Sequence, residues 1–162
     1  DPVAISIDTA GLPAGWSALR QDVLGELMLA TVATVGGATR GLDLADPAAA
    51  FAIEYTSEVA SGWGGDALVL VGEGQAGEKA GRLLRLATAW DSVREAGEFY
   101  GGMQAILPAM RMAAEALSDR ARNAGAELVY GERENVVVLT VWHSVDRRDR
   151  GKLEQALAVR LP

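Results

Sequence analysis

A chain of 162 residues, 49% hydrophobic and 23% charged, is the size of one domain with a real core. Its net charge of −7, without any lysine or arginine block, removes the electrostatic footprint that nucleic-acid binding needs. The absence of cysteine excludes disulfides, thiolate zinc sites and cysteine nucleophiles, and no apolar run approaches the ~18 residues of a membrane-spanning helix.

Residues 1–15 alternate weakly through Val3, Ile5 and Ile7 and then break at Gly11, Pro13 and Gly15, which reads as an extended arm and a turn. The chain opens with Asp1 and carries no signal peptide, as expected of a trimmed or mature fragment. From Trp16, apolar positions Leu19, Val23, Leu27 and Ala30 recur at helical spacing, so a helix is predicted up to Gly36-Gly37, with Gly25 marking a close crossing. Asp46-Pro47 is a helix start, with Phe51, Ala52, Tyr55 and Val59 as its stripe and Gly62 as its end.

Strands are predicted at Asp66–Val71 and Arg82–Trp90 around a glycine-rich loop. A helical stripe follows from Asp91, with Ser92 and Glu95 in a capping-box pattern. Pro108 either kinks this helix or begins a second one, whose stripe runs through Met110, Ala113, Leu117 and Ala121. Strands return at Ala126–Tyr130 and Val136–Trp142, and a last helix begins near Asp146. Thr88-Ala89-Trp90-Asp91-Ser92-Val93 aligns with Thr140-Val141-Trp142-His143-Ser144-Val145, suggesting an internal ββα duplication. The expected fold is therefore α+β. A helical pair over 1–62 leads into a ββαββα unit over 63–162, whose four-stranded antiparallel sheet is covered by helices on one side, all in one compact body.

Gly72-Glu73-Gly74-Gln75-Ala76-Gly77 spells the dinucleotide fingerprint, but that motif needs a helix starting within its glycines, and here a strand follows. It is read as a hairpin loop, and no cofactor is assigned. His143 is the only histidine, too few for the usual zinc pattern unless carboxylates complete it, and its place at a strand end favours a structural role. Asp66, Asp91, Glu95 and Glu98 suggest paired carboxylates, yet Glu95 is accounted for by capping and Asp66 by the turn after Gly65. No catalytic or metal set is assigned. Trp63, Trp90 and Trp142 all lie at predicted strand ends, where they either seal the core or, with Asp66, Asp91 and His143, ring a ligand pocket. Met103, Met110 and Met112 read as gap-filling core, and no serine sits in a nucleophile elbow.

Three phrases carry a resemblance. Asp22-Val23-Leu24-Gly25-Glu26-Leu27, Ala60-Ser61-Gly62-Trp63-Gly64-Gly65-Asp66, and Trp90-Asp91-Ser92 with Glu95-Ala96 and Glu98-Phe99 occur in that order. Over residues 16–107 the chain resembles the C-terminal region of exported prokaryotic metalloprotease-like proteins, often lipoproteins, whose preceding part bears an H-E-x-x-H zincin motif. That motif is absent here, so no metal ligand or catalytic glutamate carries over, and the stretch from Pro108 to Gly125 is longer than the resemblance leads one to expect. The resemblance implies an extracytoplasmic, non-catalytic accessory domain that packs beside the zincin-like part of its own parent chain. The alternative is a stand-alone extracytoplasmic module binding a small ligand or peptide.

Overall fold

The computed structural model describes residues 3–35, 59–74, 80–118, 123–131 and 135–162. In chain order these contain β1 (Ser6–Ile7), β2 (Trp16–Asp22), α1 (Gly25–Val35), β3 (Trp63–Glu73), β4 (Arg82–Trp90), α2 (Val93–Ala116), β5 (Gly125–Gly131), β6 (Val136–His143), α3 (Arg147–Ala156) and β7 (Val159–Arg160). An antiparallel five-stranded sheet has the order β2-β3-β4-β6-β5, and β1 pairs with β7 in a separate ribbon.

The sheet is covered on both faces, which is why β3, β4 and β6 are apolar at consecutive positions. Leu86, Trp90, Val137 and Leu139 point toward α1 and α2, packing with Leu29, Ala96, Phe99, Met103 and Ile106. Val69, Val71, Leu83 and Ala87 point the other way, against Ile7 of the ribbon, Val145, and Leu153 and Leu157 of the α3 segment. The register agrees: Leu86 lies opposite Leu139, and Leu83 opposite Trp142.

These observations correct the expected fold. The sheet has five strands rather than four, and the helices cover both of its faces. There is no N-terminal helical pair among the described residues: Trp16–Asp22 is an edge strand, and the first helix starts only at Gly25. Gly25 opens that helix with φ +75°, a conformation open to glycine at little steric cost, so it marks an entry and not a helix crossing. The helix predicted from Asp46 falls mostly outside the described residues, and Val59–Gly62 at its expected end are turn residues.

The duplication also takes another form. Thr88 and Trp90 face α2, whereas Thr140 and Trp142 lie on the α3 face. What repeats is a local device, a strand-end indole covered by the helix that follows it. Trp90 packs on Phe99 of α2 at 4.6 Å between ring centroids, and Arg150 of α3 sits 4.5 Å over the Trp142 ring. The strand before the glycine-rich stretch returns as an antiparallel neighbour, with Gly72 opposite Arg82, so it feeds no dinucleotide-binding helix.

Candidate functional site

Four of the candidate residues meet at the end of the sheet where β3 starts and β4 finishes. Trp63 and Trp90 are cross-strand partners, and Asp66 lies opposite Thr88. Asp66 is only 3% exposed, and its carboxylate accepts three hydrogen bonds. The donors are the backbone N–H groups of Leu24 (2.7 Å) and Gly25 (2.9 Å) and the indole Nε1–H of Trp63 (3.1 Å). This ties the first turn of α1 to β3, with a negative charge placed where a helix N-terminus favours one. Asp91 donates its backbone N–H to the carbonyl of Gly62 at 2.9 Å. Ser92 caps α2, accepting from the Glu95 N–H and donating its hydroxyl to the Glu95 carboxylate.

The three phrases of the resemblance thus converge in space. Leu24 and Gly25, Gly62 with the start of β3 up to Asp66, and Asp91, Ser92 and Glu95 form one joint binding α1, β3 and α2. Glycine suits position 62: its φ is +77°, and a β-carbon there would displace the Glu95 carboxylate. Asp66 is held by backbone and indole N–H groups, apart from the other carboxylates, whereas Glu95 and Glu98 share the Arg94 guanidinium and Glu95 also accepts from Ser92. Among the described residues no cluster of three histidine, aspartate or glutamate side chains could hold a metal ion.

Trp142 and His143 lie at the opposite end of the sheet, where β6 finishes and β4 begins, so the six candidates do not form one site. Nor do the three indoles ring a pocket. Trp63 is bonded to Asp66, and Trp90 is 4% exposed, donating its N–H to Thr88 Oγ1 at 2.9 Å. Trp142 is among the residues that border a cavity.

That cavity, of about 540 Å³, lies between the sheet and helices α1 and α2. Leu68 and Leu70 of β3, Leu84 and Leu86 of β4, and Leu139 and Val141 of β6 line its sheet side. Leu24 and Val32 come from the α1 side, and Met110, Ala113, Ala114 and Leu117 from the α2 side. The space follows from the sequence of α2. Its first half presents Phe99, Met103 and Ile106, which fill the gap to the sheet, whereas its second half presents the small Ala113 and Ala114. Leu68, Leu70, Leu84 and Val141 are accordingly only half-buried.

Arg82 and His143, directly opposed across β4 and β6, are the ionisable residues of the lining among the described residues. Burial, and then the neighbouring Arg82 charge, hold the His143 imidazole below its ordinary pKa, favouring the neutral ring. Its Nδ1 is buried without a hydrogen-bond partner. Sequence reasoning placed His143 at a strand end but missed Arg82 and the leucine floor. The available signal was the shared parity of Arg82, Leu84 and Leu86 on a strand, opposite a helix that turns to alanine.

The chain belongs to the domain of unknown function family DUF8575, whose model matches residues 15–151, a span that includes both the Asp66 joint and the cavity. No curated protein and no solved structure matches it.

Proposed function

We propose that this DUF8575 domain is a binding module that takes an apolar ligand into the cavity between the sheet and helices α1 and α2. The observation that carries the reading is the aliphatic cavity itself, whose volume of about 540 Å³ is in the range of small-molecule sites. The space is open to solvent, so its half-buried leucines stand in water when it is empty, at a cost of about 25 cal/mol per Å² of apolar surface. An apolar occupant removes that cost and takes the leucine floor out of water. The test is titration of the purified chain with phenylnaphthylamine, a neutral fluorophore that brightens in apolar surroundings. Saturable binding of one probe per chain is expected; emission no different from that in buffer would end the reading.

A second reading keeps the resemblance: a non-catalytic accessory domain beside a zincin-like part of a longer exported chain. It is supported by the exposed apolar side chains of the consecutive β2–α1 segment, Leu19, Val23, Leu27 and Met28, which a covering partner would bury. Among the described residues no helix is long and apolar enough to cross a membrane, so this reading invokes no helical span here. Hydrolysis of casein by the isolated chain supplied with zinc would refute it.

A further inference from the structure

We propose that the ligand of this cavity is a free fatty acid, with its single aliphatic chain along the leucine floor and its carboxylate held by Arg82 beside His143. The inference rests on the cavity reading and adds the chemistry of the headgroup.

Acids outnumber bases in this chain by 22 to 15, and some of its arginines find them, Arg20 pairing with Asp22. Arg94 pairs with Glu98, Arg150 with Glu127 and Glu154, and Arg160 with Asp8. Arg82 does not. Its guanidinium donates to the carbonyl of the adjacent Gly81 at 2.9 Å and makes no ion pair among the described residues. Among the described residues no carboxylate lines the cavity that it borders. The guanidinium lies against Gly72, with Nη1 2.9 Å from where a β-carbon would stand, so the missing side chain makes room for it.

A cation without a counter-ion beside apolar surface is costly, and a planar guanidinium matches a carboxylate with two parallel N–H bonds. His143 adds a second group. It lines the cavity opposite Arg82, and its neutral ring carries one N–H that can donate. One full positive charge and one neutral donor suit a monoanion better than a dianionic phosphate, particularly in a chain of net charge −7. The carbonyl end of α2 is nearby, since Leu117 lines the same cavity, and its partial negative charge opposes an anion. The guanidinium must outweigh it, which makes Arg82 decisive for headgroup choice.

The experiment is displacement of phenylnaphthylamine by dodecanoate, dodecanol and dodecyltrimethylammonium at neutral pH and constant ionic strength. These share one chain and differ only in the charge of the head. Dodecanoate is expected to displace at a concentration roughly tenfold or more below that of dodecanol, the ratio that a charge-assisted hydrogen bond supplies. Arg82→Gln should bring acid and alcohol within about twofold of each other. Arg82→Lys, which keeps the charge, should retain most of the preference and serves if the glutamine variant does not fold.

Equal displacement by acid and alcohol, or stronger displacement by the ammonium, would overturn the carboxylate assignment while leaving the cavity reading in place. Failure of the fluorophore itself to bind would remove both. Co-sedimentation with phosphatidylglycerol vesicles, without displacement by monomeric dodecanoate, would move the anion site to a membrane surface and likewise overturn the proposal.

Discussion

Replacing Asp66 by asparagine substitutes a donor for one of the carboxylate oxygens that receive the Leu24, Gly25 and Trp63 N–H groups. At a buried site the loss of charge and the facing of donor against donor should cost about 2–4 kcal/mol. The fall in urea midpoint at unchanged slope would measure it. A loss of less than about 0.5 kcal/mol would show that the joint is not held by this carboxylate. At the far end of the sheet, His143 has a lowered pKa, so the unfolded chain binds its proton more readily than the folded one. Its contribution to stability is therefore present above the ordinary histidine pKa of about 6.5 and is lost as pH falls from there toward the folded value. Because carboxylates titrate at lower pH, the difference between wild type and His143→Gln isolates this effect. Urea midpoints should drop more steeply for wild type between about pH 7 and pH 5.5. Parallel curves would contradict a depressed imidazole.

Helix α2 tests two local rules in a single element. Ser92 closes its first turn, and Ser92→Ala should cost about 1 kcal/mol in thermal or urea unfolding. Pro108 lies within the helix, exposed, and can donate no backbone hydrogen bond. Pro108→Ala should therefore stabilise the chain by about 1–3 kcal/mol, and a loss of stability would mean that the proline's fixed geometry is needed where the helix passes from bulky to small residues. Such features were legible because capping and proline chemistry are local. The boundaries of β4 and β6 were legible too, since dense β-branched and leucine residues fix a strand whatever covers it. Strand β2 was not. Trp16–Asp22 pairs only with β3, and every residue after Trp16 is exposed, so no buried face imposed an alternation on it. Its apolar residues then fell by chance at spacings that continue into the real helix. The Asp66 joint was visible as three phrases but not as a contact, because hydrogen bonds across 41 and 42 residues leave no periodic trace.

Across the whole molecule the two faces of the sheet are packed unequally. On the α3 face, Val71, Leu83, Leu153 and Leu157 are all fully buried. On the α2 face, the core is sealed around Phe99 and Met103 but opens toward Leu117, which is 67% exposed. This asymmetry can be tested by substituting Ala114, a buried residue of α2 that lines the cavity. In a sealed core, Ala114→Leu would overpack and destabilise by about 1–3 kcal/mol. Directed into free space beside leucines, the added methyl and methylene groups should instead stabilise by about 1–2 kcal/mol. The same side chain would occupy volume that a ligand needs, so phenylnaphthylamine affinity should fall roughly tenfold. The two readouts are linked with opposite sense: the variant that unfolds at higher urea should bind more weakly. A variant both less stable and unchanged in binding would show that the probe sits elsewhere and that helix and sheet already meet at Ala114. Higher stability with weaker binding would leave one physical account, in which the small residues of α2 keep open, at the expense of stability, a space that a ligand fills.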